Sequence, residues 1–253
     1  MFFLSTAEDT AGLRMDVAAQ PGRRARLLAA LEVMLCTDVP ATVLVQGMFA
    51  YLGFQAEAIF RSSLLIAVFL MCTSAVVLLT IAGILALRGE SWRTLTGHDC
   101  RWRREVAIGL GTVPALFLGT ALVATFFRLF LPGLVTDRNP ILAMITTPSD
   151  VFWFLLMAIS SGGIKEEIQR AFALRRFEKY LGGMSTGLLV WTIYFGAGHL
   201  RQGVDNAVGA GVLGLIFGLT YIWRQSLAAP MAAHAVYDTT VVLFWYFSTR
   251  GPV

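Results

Sequence analysis

Glu166, Glu167 and Arg170, then Phe195 and His199, then His234 and Asp238 are chemically versatile residues set within otherwise apolar stretches. Ionisable groups at membrane depth are costly, so by default they mark a site of chemistry or transport. Glu166 and Arg170 are four apart, which on a helix puts them on one face and predicts an ion pair, while Glu167 points about 100° away. Such an arrangement holds one carboxylate beside its arginine and leaves the other free to act as a base. The same residues also suit a buried structural ion pair, or a solvated helix end marked by Lys165, Arg170 and Arg175.

His234 and Asp238 are spaced i, i+4 in a segment with no other charge. On one helix face, Asp238 can orient an imidazole, or the two can jointly bind a substrate oxygen or a metal. His199 follows Phe195-Gly196-Ala197-Gly198, small residues that permit close helix approach; a lone histidine there also suits an interfacial helix end. His199 and His234 are two of only three histidines in the chain. Glu166, Glu167, His199, His234 and Asp238 could therefore assemble a water-activating site. In a metal version, His199, His234 and Glu166 are the candidate ligands of a divalent ion such as zinc, which would acidify the water. In a metal-free version a glutamate is general base with one histidine assisting, and the other histidine with Asp238 stabilises the oxyanion. His98 and Cys100, two apart in a basic loop, are a weaker metal cue that an ordinary loop explains as well.

The elements that must position these groups are membrane helices. With 57% hydrophobic and 14% charged residues over 253 positions, the chain is far more apolar than a soluble domain, where about a quarter of residues are charged. Apolar runs of about 20 residues predict about seven spans: residues 27–53, 62–87, 106–127, 152–180, 184–199, 204–223 and 227–247. The first contains Glu32, Asp38 and Pro40, so a bent or partly interfacial segment is expected, with its acids turned toward protein rather than lipid. The expected architecture is an all-α, polytopic transmembrane helix bundle with the site in the C-terminal four helices. Residues 1–26 form an N-terminal tail and 27–253 one integral membrane domain, with a site-bearing core at about 150–248. Glu8 and Asp9 argue against a signal peptide.

Arg23, Arg24 and Arg26, then Arg88, Arg93, Arg101, Arg103 and Arg104, then Arg175, Arg176 and Lys179 alternate with loops carrying only Arg61, Arg138 and Arg201. This bias places the N-terminus in the cytoplasm. Residues 88–105, with Trp92 and Trp102, read as an interfacial segment. The net charge of +4 is small and nothing resembles a nucleic-acid recognition motif. Three cysteines without repeated spacing argue against a disulfide framework. No internal repeat of the kind seen in inverted-repeat transporters is visible.

The order Glu-Glu-x-x-x-Arg, Phe-x-x-x-His and His-x-x-x-Asn or Asp, each in a membrane helix, resembles the CPBP family of intramembrane proteases. That family comprises glutamate-type CAAX prenyl endopeptidases and bacteriocin-processing or abortive-infection proteins. The resemblance spans about residues 152–247 and includes the continuation Phe172-Ala173-Leu174-Arg175-Arg176. It implies an endopeptidase of the bacterial inner membrane that hydrolyses a peptide bond of a membrane-associated or prenylated protein, with lipid and such peptides as partners. Glu166 would activate water with His199, His234 and Asp238 would polarise the carbonyl, and Arg170 and Phe195 would support them. The first motif departs from the pattern: counted back from Arg170, the two glutamates fall at Lys165 and Glu166. A different class of function, a pseudoprotease that binds partners or an ion-coupled transporter, would use the same buried groups and is the reading that Lys165 favours.

Overall fold

The structure, a computed structural model, describes residues 21–97 and 101–249. Residues 1–20 of the expected tail, and the His98 and Cys100 pair, lie outside the described residues. Every regular element among those described is helical. In chain order these are α1 (Arg23–Leu35), α2 (Asp38–Tyr51), α3 (Ala56–Ile59), α4 (Ser63–Leu87), α5 (Arg93–Thr96), α6 (Trp102–Phe130) and α7 (Pro148–Met157). A π-helix (Ala158–Glu166) then leads into α8 (Glu167–Tyr180), followed by α9 (Met184–Gly198), α10 (Val204–Arg224) and α11 (Ala228–Ser248).

Among the described residues three helices, α4, α6 and α10, are each long and apolar enough to cross a membrane, and α1 with α2 make a fourth if that pair, bent by 46°, is one span. The bend falls where the sequence predicts it, just before Asp38 and Pro40. The other expected crossings, α7 through α8, α9 and α11, are helical over the expected residues but are not among those four; α9 has only 15 residues, about 22 Å of helix. Leu79, Leu118 and Leu122 are exposed on the outer faces of α4 and α6, as lipid-facing side chains are.

α11 lies against α6, the π-helix and α7, while α10 packs between α9 and α6. Gly109 allows the closest crossing, since a β-carbon there would run into the backbone of Ala229. Charged residues of α1 are also turned inward. Glu32 pairs with Arg88 at 2.6 Å and with Arg176 at 2.7 Å, and Arg176 also reaches Glu90 at 2.6 Å, so α1, the end of α4 and α8 are tied together.

The helix that leads into the site starts on a strong cap. Thr147 and Asp150 form a reciprocal capping box with Pro148 in the first turn. Asp150 also accepts hydrogen bonds from the Thr146 and Thr147 amides, at 3.0 and 2.8 Å, and from Ser63 at the start of α4. Partial burial pushes this carboxyl up, but the hydrogen bonds from Ser63, Thr146 and Thr147 outweigh it and hold the pKa at about 2. A depressed native pKa contributes stability above the unfolded value of about 3.9, and the contribution is lost as pH falls through the native value. Asp150→Asn is therefore expected to melt below wild type at pH 6, with the gap closing between about pH 4 and pH 2. A gap independent of pH in thermal melts would contradict this account.

Candidate active site

The seven residues singled out by motif come from α8, the end of α9 and α11, with Glu166 the last residue of the π-helix. A π-helix bonds i to i+5 and packs one more residue into its turn than an α-helix; such segments are frequent at functional sites. Here it is built on Ser160, Ser161, Gly162 and Gly163, small residues that let α11 come close. A β-carbon on Gly163 would sit 2.8 Å from the Ala235 side chain.

The pairing differs from the one that i, i+4 spacing predicts. Arg170 pairs with Glu167 at i, i+3, not with Glu166. Both members of that pair are 1% exposed. The Arg170 guanidinium also lies over the rings of Phe195, at 4.9 Å, and Phe217, at 5.3 Å, so its faces rest on aromatic quadrupoles.

Glu167 in turn holds His234. Its Oε1 is 2.7 Å from His234 Nδ1, and because a carboxylate accepts, Nδ1–H donates. Phe217 stacks on the imidazole at 4.3 Å with 17° between planes. Fixed on one edge and one face, the ring turns Nε2 toward two further carboxylates, Asp238 at 3.4 Å and Glu166 at 3.8 Å. Gly162 faces the same spot. A β-carbon there would lie 2.6 Å from Asp238 Oδ2 and 3.3 Å from His234 Nε2, so glycine lets the π-helix backbone come close to the imidazole and Asp238. Glu166 and Asp238 are only partly buried, whereas Glu167 and His234 are fully enclosed.

His199 caps the end of α9. Its Nδ1 is 2.8 Å from the Phe195 carbonyl; since a carbonyl can only accept, Nδ1–H donates and Nε2 is left for other partners. The Phe195 ring lies 4.8 Å from His199 and 6.2 Å from His234, standing between the two histidines, and His199 is near enough to Glu166 to act on it electrostatically. Counted as a straight span, His199 falls about 10 Å from the other groups along the membrane normal; the short α9 brings it to them.

Lys165 is 4% exposed and doubly paired, to Asp38 Oδ1 at 2.8 Å and to Glu166 Oε1 at 3.3 Å. The Asp38 amide donates to the Tyr194 hydroxyl at 2.8 Å, and Gln169 donates to the Cys36 carbonyl at 2.5 Å. The α1–α2 bend is thus docked onto the helix carrying the glutamates. Asp38 stands out in the sequence as an acid in an apolar run, but no spacing rule links it to a partner 127 positions away. Gly162, Phe217 and Tyr194 carry no sequence signal that distinguishes them from packing residues.

Among the described residues no three His, Cys, Asp or Glu side chains gather as a metal-holding group. The ammonium of Lys165 lies 3.3 Å from Glu166, where a cation would compete with it, while the bond from His234 Nδ1–H to Glu167 leaves Nε2 as the nitrogen that could ligate.

Residues 147–240, which include every one of these motif residues, match the model of a family described as type II CAAX prenyl endopeptidase Rce1-like. No curated protein and no solved structure matches the chain.

Proposed function

From the likeness of residues 147–240 to that endopeptidase family, we propose that the chain is an integral membrane endopeptidase that cleaves a membrane-associated or prenylated protein or peptide. The observation that carries the chemistry is the convergence of Glu166 and Asp238 on His234 Nε2, beside the Gly162 backbone. In the proposed reaction a water beside Glu166 gives it a proton, assisted by Nε2 of His199, and attacks the scissile carbonyl. His234 Nε2–H donates to the carbonyl oxygen, with Asp238 at 3.4 Å orienting the imidazole, and a donor held rigidly where charge develops is worth more than a mobile one. Glu167, anchored by Arg170, keeps the imidazole in place. Glu166 then returns the proton to the leaving amine.

The same proposal extends to the surroundings. All seven expected segments cross the membrane, with α7–α8, α9 and α11 supported by their neighbours, and the site-bearing core lies within about 150–248 of one domain that begins near residue 27. The basic residues at the ends of α4 and α8 lie in the cytoplasm with the N-terminus, and the membrane is a bacterial inner membrane. Membrane lipid and peptide substrates are the partners. A pseudoprotease or ion-coupled transporter draws no support from the family likeness.

The test is cleavage of membrane-anchored and prenylated peptides by purified protein in lipid. Wild type is expected to cleave at least one, with no loss in chelator, and His234→Ala to cleave none while melting as a folded protein. Unchanged cleavage by His234→Ala would remove the proposed oxyanion donor. Loss of cleavage in chelator would replace the metal-free route with a metal-dependent one.

A further inference from the structure

At the end of the bundle where α8 and α10 finish and α11 begins, a cavity of about 690 Å³ is lined by Arg93, Arg101, Arg104, Arg175 and Arg224, with Glu105 the one acid among the described lining residues. It is separate from the proposed site: Arg175 lies about two turns beyond Glu167 along α8. Two of the arginines are committed. Arg224 holds Glu105 through two hydrogen bonds, at 2.9 and 2.7 Å. Arg175 donates to Glu178 at 2.8 Å, to Gln225 at 2.6 Å and to the Tyr221 hydroxyl at 3.1 Å. Arg93, Arg101 and Arg104 are exposed and form no ion pair among the described residues. The lining thus carries a clear excess of positive charge, with three guanidinium groups available as donors.

The surroundings fix which anion belongs there. Trp92 and Trp102, the neighbours of Arg93 and Arg101, are 41% and 60% exposed. Exposed tryptophans beside basic residues at the end of a membrane bundle mark headgroup depth, and basic pockets between membrane helices at that depth suit acidic lipid headgroups. Guanidinium forks match phosphate oxygens bidentately. We propose that this cavity binds the phosphate of one acidic phospholipid headgroup, held by Arg93, Arg101 and Arg104 and framed by the fixed Arg224–Glu105 pair.

Native mass spectrometry of the full chain in a neutral detergent tests this independently of any peptidase activity, with short-chain phosphatidylglycerol as probe and phosphatidylcholine and inorganic phosphate as competitors. Wild type is expected to retain one phosphatidylglycerol, with at least tenfold weaker apparent affinity in Arg93→Gln/Arg101→Gln and no change in Arg61→Gln, an exposed arginine at the other end of α4. Binding should also weaken with added salt. Wild-type affinity in the double variant, or equal loss in Arg61→Gln, would overturn the proposal. So would competition by phosphatidylcholine at equal concentration, and displacement by inorganic phosphate at the lipid's own concentration would assign the cavity to a soluble anion instead.

Discussion

Glu166→Gln is expected to slow peptide cleavage by at least about 100-fold, the lower end of what a positioned general base contributes, while leaving the melting temperature close to that of wild type. The reasoning rests on what each glutamate touches. Glu166 is partly exposed, with one oxygen 3.3 Å from Lys165 Nζ and the other 3.8 Å from His234 Nε2, so it is the glutamate that a water can reach. Glutamine keeps the side chain's volume, and Lys165 keeps Asp38 as its counter-ion at 2.8 Å, so no buried charge is stranded. Cleavage by Glu166→Gln at the wild-type rate would dismiss Glu166 as the base.

Glu167→Ala should behave differently, with loss of stability as its first effect. Its partner Arg170 is 1% exposed, and removing one member of a buried ion pair strands the other at a cost of about 3–5 kcal/mol. The His234 ring would lose its anchor at the same time. A large fall in melting temperature in a single detergent is therefore expected for Glu167→Ala. Because a well-packed apolar pair can replace a buried ion pair at little cost, Glu167→Leu/Arg170→Met should recover much of that fall without recovering cleavage. If Glu167→Ala melts like wild type, Glu167 is not the structural member of the pair. Together the two experiments separate adjacent glutamates that the sequence presents as equivalent.

That equivalence marks the limit of what the sequence discloses here. His234 with Asp238 could be read directly, because i, i+4 spacing in an uncharged helix leaves one geometry, and the structure keeps both on one face at 3.4 Å. The all-helical architecture was legible for the same reason: long apolar runs leave the backbone few other ways to bond internally. The partner of Arg170 was not legible. Helical spacing makes both Glu166, at i, i+4, and Glu167, at i, i+3, neighbours of Arg170 and does not choose between them; the structure gives the arginine to Glu167. Nor could spacing foresee that Phe195 would stand between two histidines, since that depends on how short α9 is and where it meets α11.

The docking of Asp38 onto Lys165 ties one end of the chain to the other. A buried ammonium is tolerated at 165 because a carboxylate arrives from the α1–α2 bend; a glutamate at 165 would meet that carboxylate as a second anion in the same enclosed space. Positions 38 and 165 therefore act as one unit across 127 residues of sequence: the charge exchange Asp38→Lys/Lys165→Asp should be tolerated better than Lys165→Glu alone, read as the fall in melting temperature.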